Sequence, residues 1–204
     1  MKKITRLLAL AGIAGAFAAP TFAEPPTHVE VRDILKRDFR AKGQAGADRV
    51  QQDGVQSICN LTNDKPPEAV AKRLEADQMA GVKWPADAKL MGDWKAGEKL
   101  AQSGVGMTWS DAEGSPIGGN CYNCHRIGPA ELSYGTLGPS LLGFGKVRGY
   151  TPEMQKYAYS KIYNAKAHNL CSLMPRFGQA GALSEAQIKD LVALLMDPAS
   201  PVNK

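Results

Sequence analysis

Apolar residues recur at helical spacing along much of this chain. The clearest example lies near the carboxyl terminus, where Ser184 and Gln187 form a capping-box pattern ahead of an apolar stripe. The stripe consists of Ile188, Leu191, Val192 and Leu195. Because Pro198 follows Asp197 and cannot continue a helix, we predict that the helix ends there, with a tail that only Val202 can hold down.

Two further helices are predicted in the first half of the chain. The first carries an apolar stripe among charged residues, at Val31, Ile34, Leu35 and Phe39. The second begins where Asp64 precedes two prolines, which the first turn of a helix tolerates, and runs to about Ala80. Between them we expect a polar loop over residues 43–54 and a short turn over 54–59 that brings Cys59 inward.

Two more helices are predicted around the centre of the chain. Residues 94–101 form one, and Gly97 in its interior costs about 1 kcal/mol relative to alanine unless another backbone approaches closely. We therefore expect a second helix to cross at Gly97. The other starts at Thr151, ahead of a proline, and runs to about Ala165. Between them, the glycine-rich residues 128–149 predict a long irregular wrap. Since every predicted element is a helix, the expected fold class is all-α.

The amino terminus has the pattern of a secretory signal peptide. Lys2, Lys3 and Arg6 precede an apolar run over residues 7–19, and small residues up to Ala23 provide a cleavage position. A membrane anchor is the alternative, but the run is shorter than the roughly 20 apolar residues that cross a bilayer. No later stretch is long and apolar enough either. We expect cleavage after Ala23 and export to a bacterial periplasm.

The charge of the chain argues against nucleic acid as a partner. The formal net charge is +5, but the predicted signal peptide contributes three basic residues and no acidic one. The mature chain is therefore nearly neutral. It also has no block of Lys and Arg of the kind that binds a phosphate backbone.

The chemistry of the chain is concentrated in Cys121, Cys124 and His125. Two thiols three positions apart, with an imidazole directly after the second, are what covalent attachment of a c-type haem requires. A thioredoxin-like redox pair would follow a strand of a βαβ unit, whereas residues 114–120 form a loop. A structural zinc site would need a second ligand pair, and the other Cys and His residues are scattered singly. We predict one covalently bound haem c.

Cys59 and Cys171 are the two cysteines that remain. In an oxidising compartment an even remainder favours pairing, so we predict a disulfide between Cys59 and Cys171. The alternative is a reactive thiol or a metal ligand, because the sequence does not give the Cα separation that would decide.

The ligand opposite His125 determines what the iron can do. A methionine thioether raises the reduction potential and saturates the iron for electron transfer, whereas an open position permits ligand chemistry. Met174 is the strongest candidate, because Pro175 and Gly178 fix the loop around it. His168 is the rival, and it would give a lower potential. The methionines with weaker claims are Met79, Met91, Met154 and Met196, the last two being expected in the core.

These residues resemble those of class I cytochromes c. The motif Cys121–His125, residues 138–141 and residues 174–178 follow one another between an early and a final helix. Together with residues 118–120 and an amino-terminal extension, the pattern is more closely similar to the SoxX family, the small subunits of the SoxAX cytochromes of bacterial sulfur oxidation.

The resemblance implies a fold and a division of the chain. The fold would be all-α, a class I cytochrome c-like haem domain with a helical amino-terminal extension. Residues 1–23 would be the signal peptide, residues 24–90 the extension and residues 91–204 the haem domain.

The resemblance also implies the roles of individual residues. Cys121 and Cys124 would hold the haem, and His125 and Met174 would be its axial ligands. Pro139 would offer its carbonyl to the Nδ1 proton of His125, which fixes the tautomer of the ring and raises its basicity. For Arg176 two roles stay open, since it would face either a haem propionate or a partner.

The function implied is that of an electron relay in a complex. The chain would form a heterodimer with a larger haem subunit, SoxA, which carries out the catalysis. The complex joins thiosulfate oxidatively to a cysteine of a carrier protein, SoxYZ, and this chain would pass the electrons to a soluble cytochrome c acceptor. One alternative is a free-standing periplasmic electron-shuttle cytochrome. Another is a haem enzyme or gas sensor with an open iron.

Overall fold

The computed structural model describes residues 26–204, and this part of the chain is helical. The predicted signal peptide lies outside the described residues. Within residues 26–204 the only β-type pairing is an isolated bridge between Lys42 and Ala45, so the all-α prediction is confirmed for this range. The α-helices are α1 (His28–Asp38), α2 (Gly54–Leu61), α3 (Glu68–Ala80), α4 (Trp94–Gln102), α5 (Phe144–Arg148), α6 (Pro152–Tyr163) and α7 (Glu185–Met196). Short 3₁₀ turns occur at Ala47–Val50, Cys121–Asn123, Ala165–Ala167 and Pro201–Asn203.

Helices α4 and α7 cross at Gly97. A Cβ atom at position 97 would lie 2.1 Å from the carbonyl oxygen of Asp190 in α7. The start of α4 is tied to the same residue, because the amide of Asp93 donates to Asp190 Oδ1 at 2.8 Å. The prediction that a second helix crosses at Gly97 is confirmed, since only a residue without a side chain lets the two backbones approach this closely.

Helix α7 lies at the middle of the main hydrophobic core. Its capping box is formed as predicted, with Ser184 Oγ accepting from Gln187 N and Gln187 Oε1 accepting from Ser184 N at 2.9 Å. Every residue from Leu191 to Met196 is buried. Tyr159 of α6 packs in the same core and stacks on Trp84, with ring centroids 5.5 Å apart. Burial stabilises the fold by roughly 1.5–3 kcal/mol for each large apolar side chain.

The carboxyl-terminal tail is held by more than the single apolar residue that the sequence indicated. Val202 is buried as expected, but Ser200 and Asn203 are buried as well. The Asn203 side chain accepts from Gly145 N at 2.9 Å and donates to the carbonyl of Leu195 at 3.1 Å. The tail therefore bridges α5 and the end of α7 through polar side chains, which an apolar pattern does not reveal.

The glycine-rich segment contains a helix that the sequence did not predict. Helix α5 begins after Gly143 at φ +68° and ends before Gly149 at φ +90°, two left-handed positions that glycine adopts without strain. Phe144 is buried and anchors this short helix to the core. The expectation of an irregular wrap is wrong for residues 144–148, because the glycines bound a helix instead of preventing one.

The amino-terminal part of the described chain forms a second, smaller core. Residues 54–61 are helix α2 and not the short turn expected, because Asp53 and Gln56 form a capping box at its start. Val55 and Cys59 of α2 pack with Leu170, which lies far along the chain. Helix α1 forms as predicted, but all of its residues are exposed.

The main core also draws on residues that precede the predicted start of the haem domain. Val82 and Leu90 are buried within it, and Met79 packs against it. The segment after α3 therefore packs in the same core as Tyr122, which lies between Cys121 and Cys124. In residues 26–204 no helix combines the length and the apolar character that crossing a bilayer requires.

Candidate functional site

Cys121, Cys124 and His125 lie on one tight turn. Asn120 precedes the turn in the left-handed conformation at φ +48°. The carbonyl of Cys121 then accepts from both Cys124 N at 3.1 Å and His125 N at 2.9 Å, so the turn closes on itself. Within residues 26–204, which include all four cysteines, Cys121 and Cys124 carry free thiols. The arrangement presents two thiols and an imidazole from five consecutive residues.

The glycines before the turn place it against α4. Gly119 N donates to the carbonyl of Leu100 at 2.9 Å, and a Cβ at Gly118 would lie 1.9 Å from the carbonyl oxygen of Ser103. A Cβ at Gly119 would lie 3.0 Å from the sulfur of Cys121. The turn therefore rests on the end of α4 because both positions lack side chains.

A second segment, residues 135–141, runs alongside the turn. Gly135 N donates to the carbonyl of Tyr122 and Gly138 N to that of Cys124, both at 2.8 Å. A Cβ at Gly135 would lie 1.7 Å from the carbonyl oxygen of Asn123. Glycine is thus required for the contact, and the two segments brace each other.

The imidazole of His125 is fixed by this second segment. Its Nδ1 lies 2.7 Å from the carbonyl oxygen of Pro139, and because a carbonyl can only accept, Nδ1 carries the proton. Nε2 is then the nitrogen with a lone pair to offer. Gly138 lies against the ring, since a Cβ there would fall 2.2 Å from Cε1. The tautomer and orientation suit an axial ligand that binds through Nε2.

The environment of Cys121 does not suit a redox dithiol. Although the residue as a whole is half-buried, burial of its sulfur raises the pKa of the Cys121 thiol to about 12. Reactive thiols of thioredoxin-like pairs have lowered pKa values, because the thiolate is the attacking form. A neutral thiol packed on the hydrophobic core is no such nucleophile.

Large apolar side chains are exposed in the segment after the turn and in the loop that carries Met174. Leu132 is 90 % exposed and Leu137 is 75 % exposed, and both lie in the segment that follows His125. Leu173, next to Met174, is 80 % exposed. Leucines with so much free surface are the kind of apolar side chain that marks a binding surface when several lie together.

Met174 lies in a different loop from the turn. It packs against the main core, as Cys121 does, and its amide donates to Ser172 Oγ at 3.2 Å. It also lines a cavity of about 390 Å³, whose other walls include Cys59 of α2 and the buried Lys166. The structure therefore brings Cys121, His125 and their neighbours together on one turn and holds Met174 on a separate wall of the same core.

His168 is engaged elsewhere. Its Nε2 lies 2.8 Å from Ser160 Oγ, and its ring contacts Tyr157 edge-on with centroids 4.7 Å apart. Burial, with a smaller effect of nearby Lys161, lowers the pKa of His168. These contacts give His168 a packing role, which weakens it as the rival of Met174. Met196 is fully buried in the core as expected.

The predicted disulfide is present. Cys59 and Cys171 are bonded, with their Cα atoms 5.4 Å apart, and 112 residues separate them in the chain. Asp64 lies close to the two sulfurs, but sulfurs consumed in a disulfide are not thiolate ligands for a metal. The bond joins α2 to the loop that carries Met174.

Two charged residues at this loop make contacts that the sequence did not predict. Arg176, for which a haem propionate or a partner stays a prediction, pairs with Asp53 at 2.6 Å. Lys166 is buried and its Nζ donates to the carbonyl of Leu170 at 2.9 Å. No local pattern signals the contact between Arg176 and Asp53, because the two residues lie far apart in the chain.

Comparison with known proteins finds a relative of nearly the same length. No protein-family profile matches the chain. The chain is 34% identical over 206 residues to a protein of Aquifex aeolicus (strain VF5) described as an uncharacterized lipoprotein, and the alignment covers 97% of this chain and 98% of the relative. The similarity extends over nearly the whole length of both proteins. The chain therefore belongs to the same family as this Aquifex lipoprotein.

Proposed function

We propose that this chain is a monohaem c-type cytochrome. The observation that carries the proposal is the turn in which two free thiols adjoin an imidazole whose Nδ1 faces the Pro139 carbonyl at 2.7 Å. This donor set fits a covalent haem, and a haem bound here would supply one-electron iron chemistry. Cys121 and Cys124 would hold the haem through thioether bonds to its vinyl groups. His125 would offer Nε2 to the iron, while Pro139 holds the Nδ1 proton and so raises the basicity of the ring.

Met174 is the second axial ligand in this proposal. Its loop is fixed by Gly178, which packs against the ring of Tyr163 so that a Cβ would lie 2.2 Å from Cδ2. Gly178 N also donates to the Tyr163 carbonyl at 3.1 Å. The exposed Leu137 and Leu173 offer apolar surface of the kind that a porphyrin buries. With Met174 and His125 both as ligands the iron would be saturated, which favours electron transfer over ligand chemistry.

We further propose that the cytochrome is the electron-transfer subunit of a SoxAX-type complex. In that role it pairs with a SoxA-like haem subunit, and the complex conjugates thiosulfate to a cysteine of a SoxYZ-like carrier. The electrons then leave through this chain to a soluble cytochrome c. The proposal is supported by the motifs at residues 118–125 and 174–178. It is also supported by the amino-terminal extension, because helices α1 to α3 precede the helix α4 on which the turn rests.

Export to the periplasm is part of the proposal. The leader over residues 1–23 supports it, as does the relative described as a lipoprotein, since lipoproteins are exported. The disulfide between Cys59 and Cys171 fits the same oxidising compartment. Export is the property that we carry over from the relative. Lipid attachment is not carried over, because the first cysteine, Cys59, lies well beyond the end of the leader.

Mass determination of the exported protein tests the haem. We expect the mass of the processed chain plus one whole haem, and a colour that stays with the protein in acidified organic solvent. A mass equal to the polypeptide alone, or colour that passes into the solvent, would overturn the proposal. Variants Cys121→Ser and Cys124→Ser should each lose one of the two thioether links, whereas Cys59→Ser should keep both.

Purification from the native periplasm tests the complex. A second haem protein that co-elutes with this chain in equal amount would support the relay, and a chain that elutes alone at every salt concentration would favour the free electron shuttle. Carbon monoxide tests the alternative of an open iron. Binding of the gas to the reduced wild-type protein would favour that alternative, because iron saturated by Met174 does not bind it.

A further inference from the structure

The loop that carries Met174 is joined to helix α2 on both sides of the methionine. Three residues before Met174, Cys171 is bonded to Cys59 of α2. Two residues after it, Arg176 pairs with Asp53, which caps the same helix. A loop fastened at both ends to one helix has little freedom to move its centre.

The covalent link lies in a packed environment. Cys59 is 3 % exposed and belongs to the small core with Val55 and Leu170. Leu170 is itself held from another direction, because its amide donates to Glu75 Oε1 of α3 at 2.9 Å. The sulfur of Cys171 is thus bonded to a residue that is packed in a core.

The ion pair between Asp53 and Arg176 is partly shielded from solvent, and its carboxylate also caps helix α2. The Arg176 side chain is only 19% accessible, and that of Asp53 is 40% accessible. The same Asp53 carboxylate accepts from Gln56 N at 2.8 Å, as the cap of α2. Lys166, which lines the same cavity as Arg176, adds a further positive charge that acts on Asp53. The guanidinium is therefore held at the beginning of α2.

We propose that the amino-terminal extension positions Met174 as an axial ligand through these two links, the Cys59–Cys171 disulfide and the Asp53–Arg176 ion pair. The inference rests on the proposed function, since it assigns a role toward the iron. Asp53, Arg176 and the two cysteines are positioning residues, because they act through the methionine. The extension is on this account a clamp that keeps sulfur on the iron.

Asp53→Asn tests the ionic link without removing the helix cap. Asparagine caps a helix about as well as aspartate, so α2 keeps its first turn while Arg176 loses its partner. We expect a weaker thioether-to-iron charge-transfer band in the oxidised protein. We also expect carbon monoxide binding to the reduced protein to increase by up to about fivefold, the change that one partly exposed ion pair supports.

Glu68→Gln is the matched control. It removes an ion pair with Lys72 within α3, on the same extension but away from the Met174 loop. This variant should keep the wild-type band and the wild-type response to carbon monoxide. Equal spectra for Asp53→Asn and Glu68→Gln would show that the ionic link does not position the methionine.

The double variant Cys59→Ser, Cys171→Ser tests the covalent link. We expect a larger loss of the thioether band than in Asp53→Asn, together with a lower reduction potential. If the variant does not fold, the wild-type bond is cleaved by a phosphine in the folded protein and the two thiols are alkylated. In that step the phosphine takes up oxygen from water and each sulfur gains an electron and a proton.

The outcomes separate the two proposals. A wild-type protein without haem mass overturns the proposed function and this inference together. A wild-type protein with haem but no thioether band overturns the inference and leaves the haem attachment in place. A wild-type protein with both, whose band is unchanged when either link is cut, overturns the clamp alone.

Discussion

Gly138 lies directly against the imidazole of His125. A Cβ atom at position 138 would fall 2.2 Å from Cε1 and 2.5 Å from Nδ1 of the ring. The next residue, Pro139, accepts the hydrogen bond from Nδ1. Two consecutive residues thus set the orientation of the ring, one by leaving space for it and the other by holding its proton.

Gly138→Ala should therefore displace the His125 ring. Overpacking of this kind typically costs about 1–3 kcal/mol, and the hydrogen bond to Pro139 weakens as the ring moves. We expect a smaller fraction of chains that carry haem, measured as the ratio of haem to protein absorbance after export. Gly54→Ala is the control, because a Cβ there meets nothing within 4 Å. Equal haem content in the two variants would contradict the role of Gly138.

Met174→Ala should open the iron on the side opposite His125. With the thioether gone, the reduction potential should fall and the reduced protein should bind carbon monoxide. Met154→Ala is the control, since Met154 packs on the same core from α6. It should lose stability while keeping the wild-type spectrum. A spectrum that does not change in Met174→Ala would remove this residue from the site.

Gly97→Ala should destabilise the whole fold. The added Cβ would meet the backbone of Asp190, and the overpacking cost of about 1–3 kcal/mol exceeds the gain of up to about 1 kcal/mol in helix propensity. At about 2–4 °C per kcal/mol for a chain of this size, the thermal midpoint should fall by several degrees. Gly81→Ala, where a Cβ meets only ordinary contacts at 3.5 Å, should change the midpoint much less.

The local parts of the fold could be predicted from the sequence. Ser184 with Gln187 and Thr151 before a proline mark helix starts, because capping depends on residues only a turn apart. Gly97 could be assigned to a helix crossing, since a glycine inside a helix lowers its stability unless a close backbone contact requires it. Helix α5 could not be predicted, because its start and end depend on glycines with positive φ, and glycine also permits a loop.

The central motif of the candidate site was also predictable, since its residues are consecutive. Of the contacts that orient it, the resemblance implied the one between Pro139 and His125. The contacts of Gly135 and Gly138 were not predicted, because these residues act through space that they leave empty. The pairing of Arg176 with Asp53 joins elements far apart in the chain, and sequence pattern alone does not measure such a distance. The Cys59–Cys171 pair could be predicted only because the other two cysteines were assigned to haem.

Loss of the Cys59–Cys171 bond should lower global stability. The bond closes a long loop, since its ends are 112 positions apart in the chain, and chain-entropy estimates reach about 4.7 kcal/mol for a 100-residue loop. The double serine variant should therefore unfold at a markedly lower urea concentration than wild type. Thiol titration of the denatured, oxidised wild type should leave Cys59 and Cys171 unreactive. Reactive thiols at these two positions would contradict the bond.

The Asp53–Arg176 pair should make stability depend on pH in the acid range. Burial alone would raise the pKa of Asp53, but the Gln56 amide and the Arg176 guanidinium outweigh it and hold the pKa below its ordinary value of 3.8. The carboxylate is therefore favoured by folding. Its contribution is complete above the pKa of the unfolded chain and is lost as the pH falls through the lower folded pKa.

Comparison of wild type with Asp53→Asn isolates this contribution. The wild type should be the more stable at neutral pH by less than about 1 kcal/mol, since the pair is partly exposed and the cap is retained in the variant. The difference in unfolding free energy, from urea titrations, should shrink below pH 3.8 and then disappear. Added salt should reduce it at neutral pH, because the accessible part of the pair is screened. A difference that grows on acidification has the opposite sign and would show that Asp53 is not stabilised as a carboxylate.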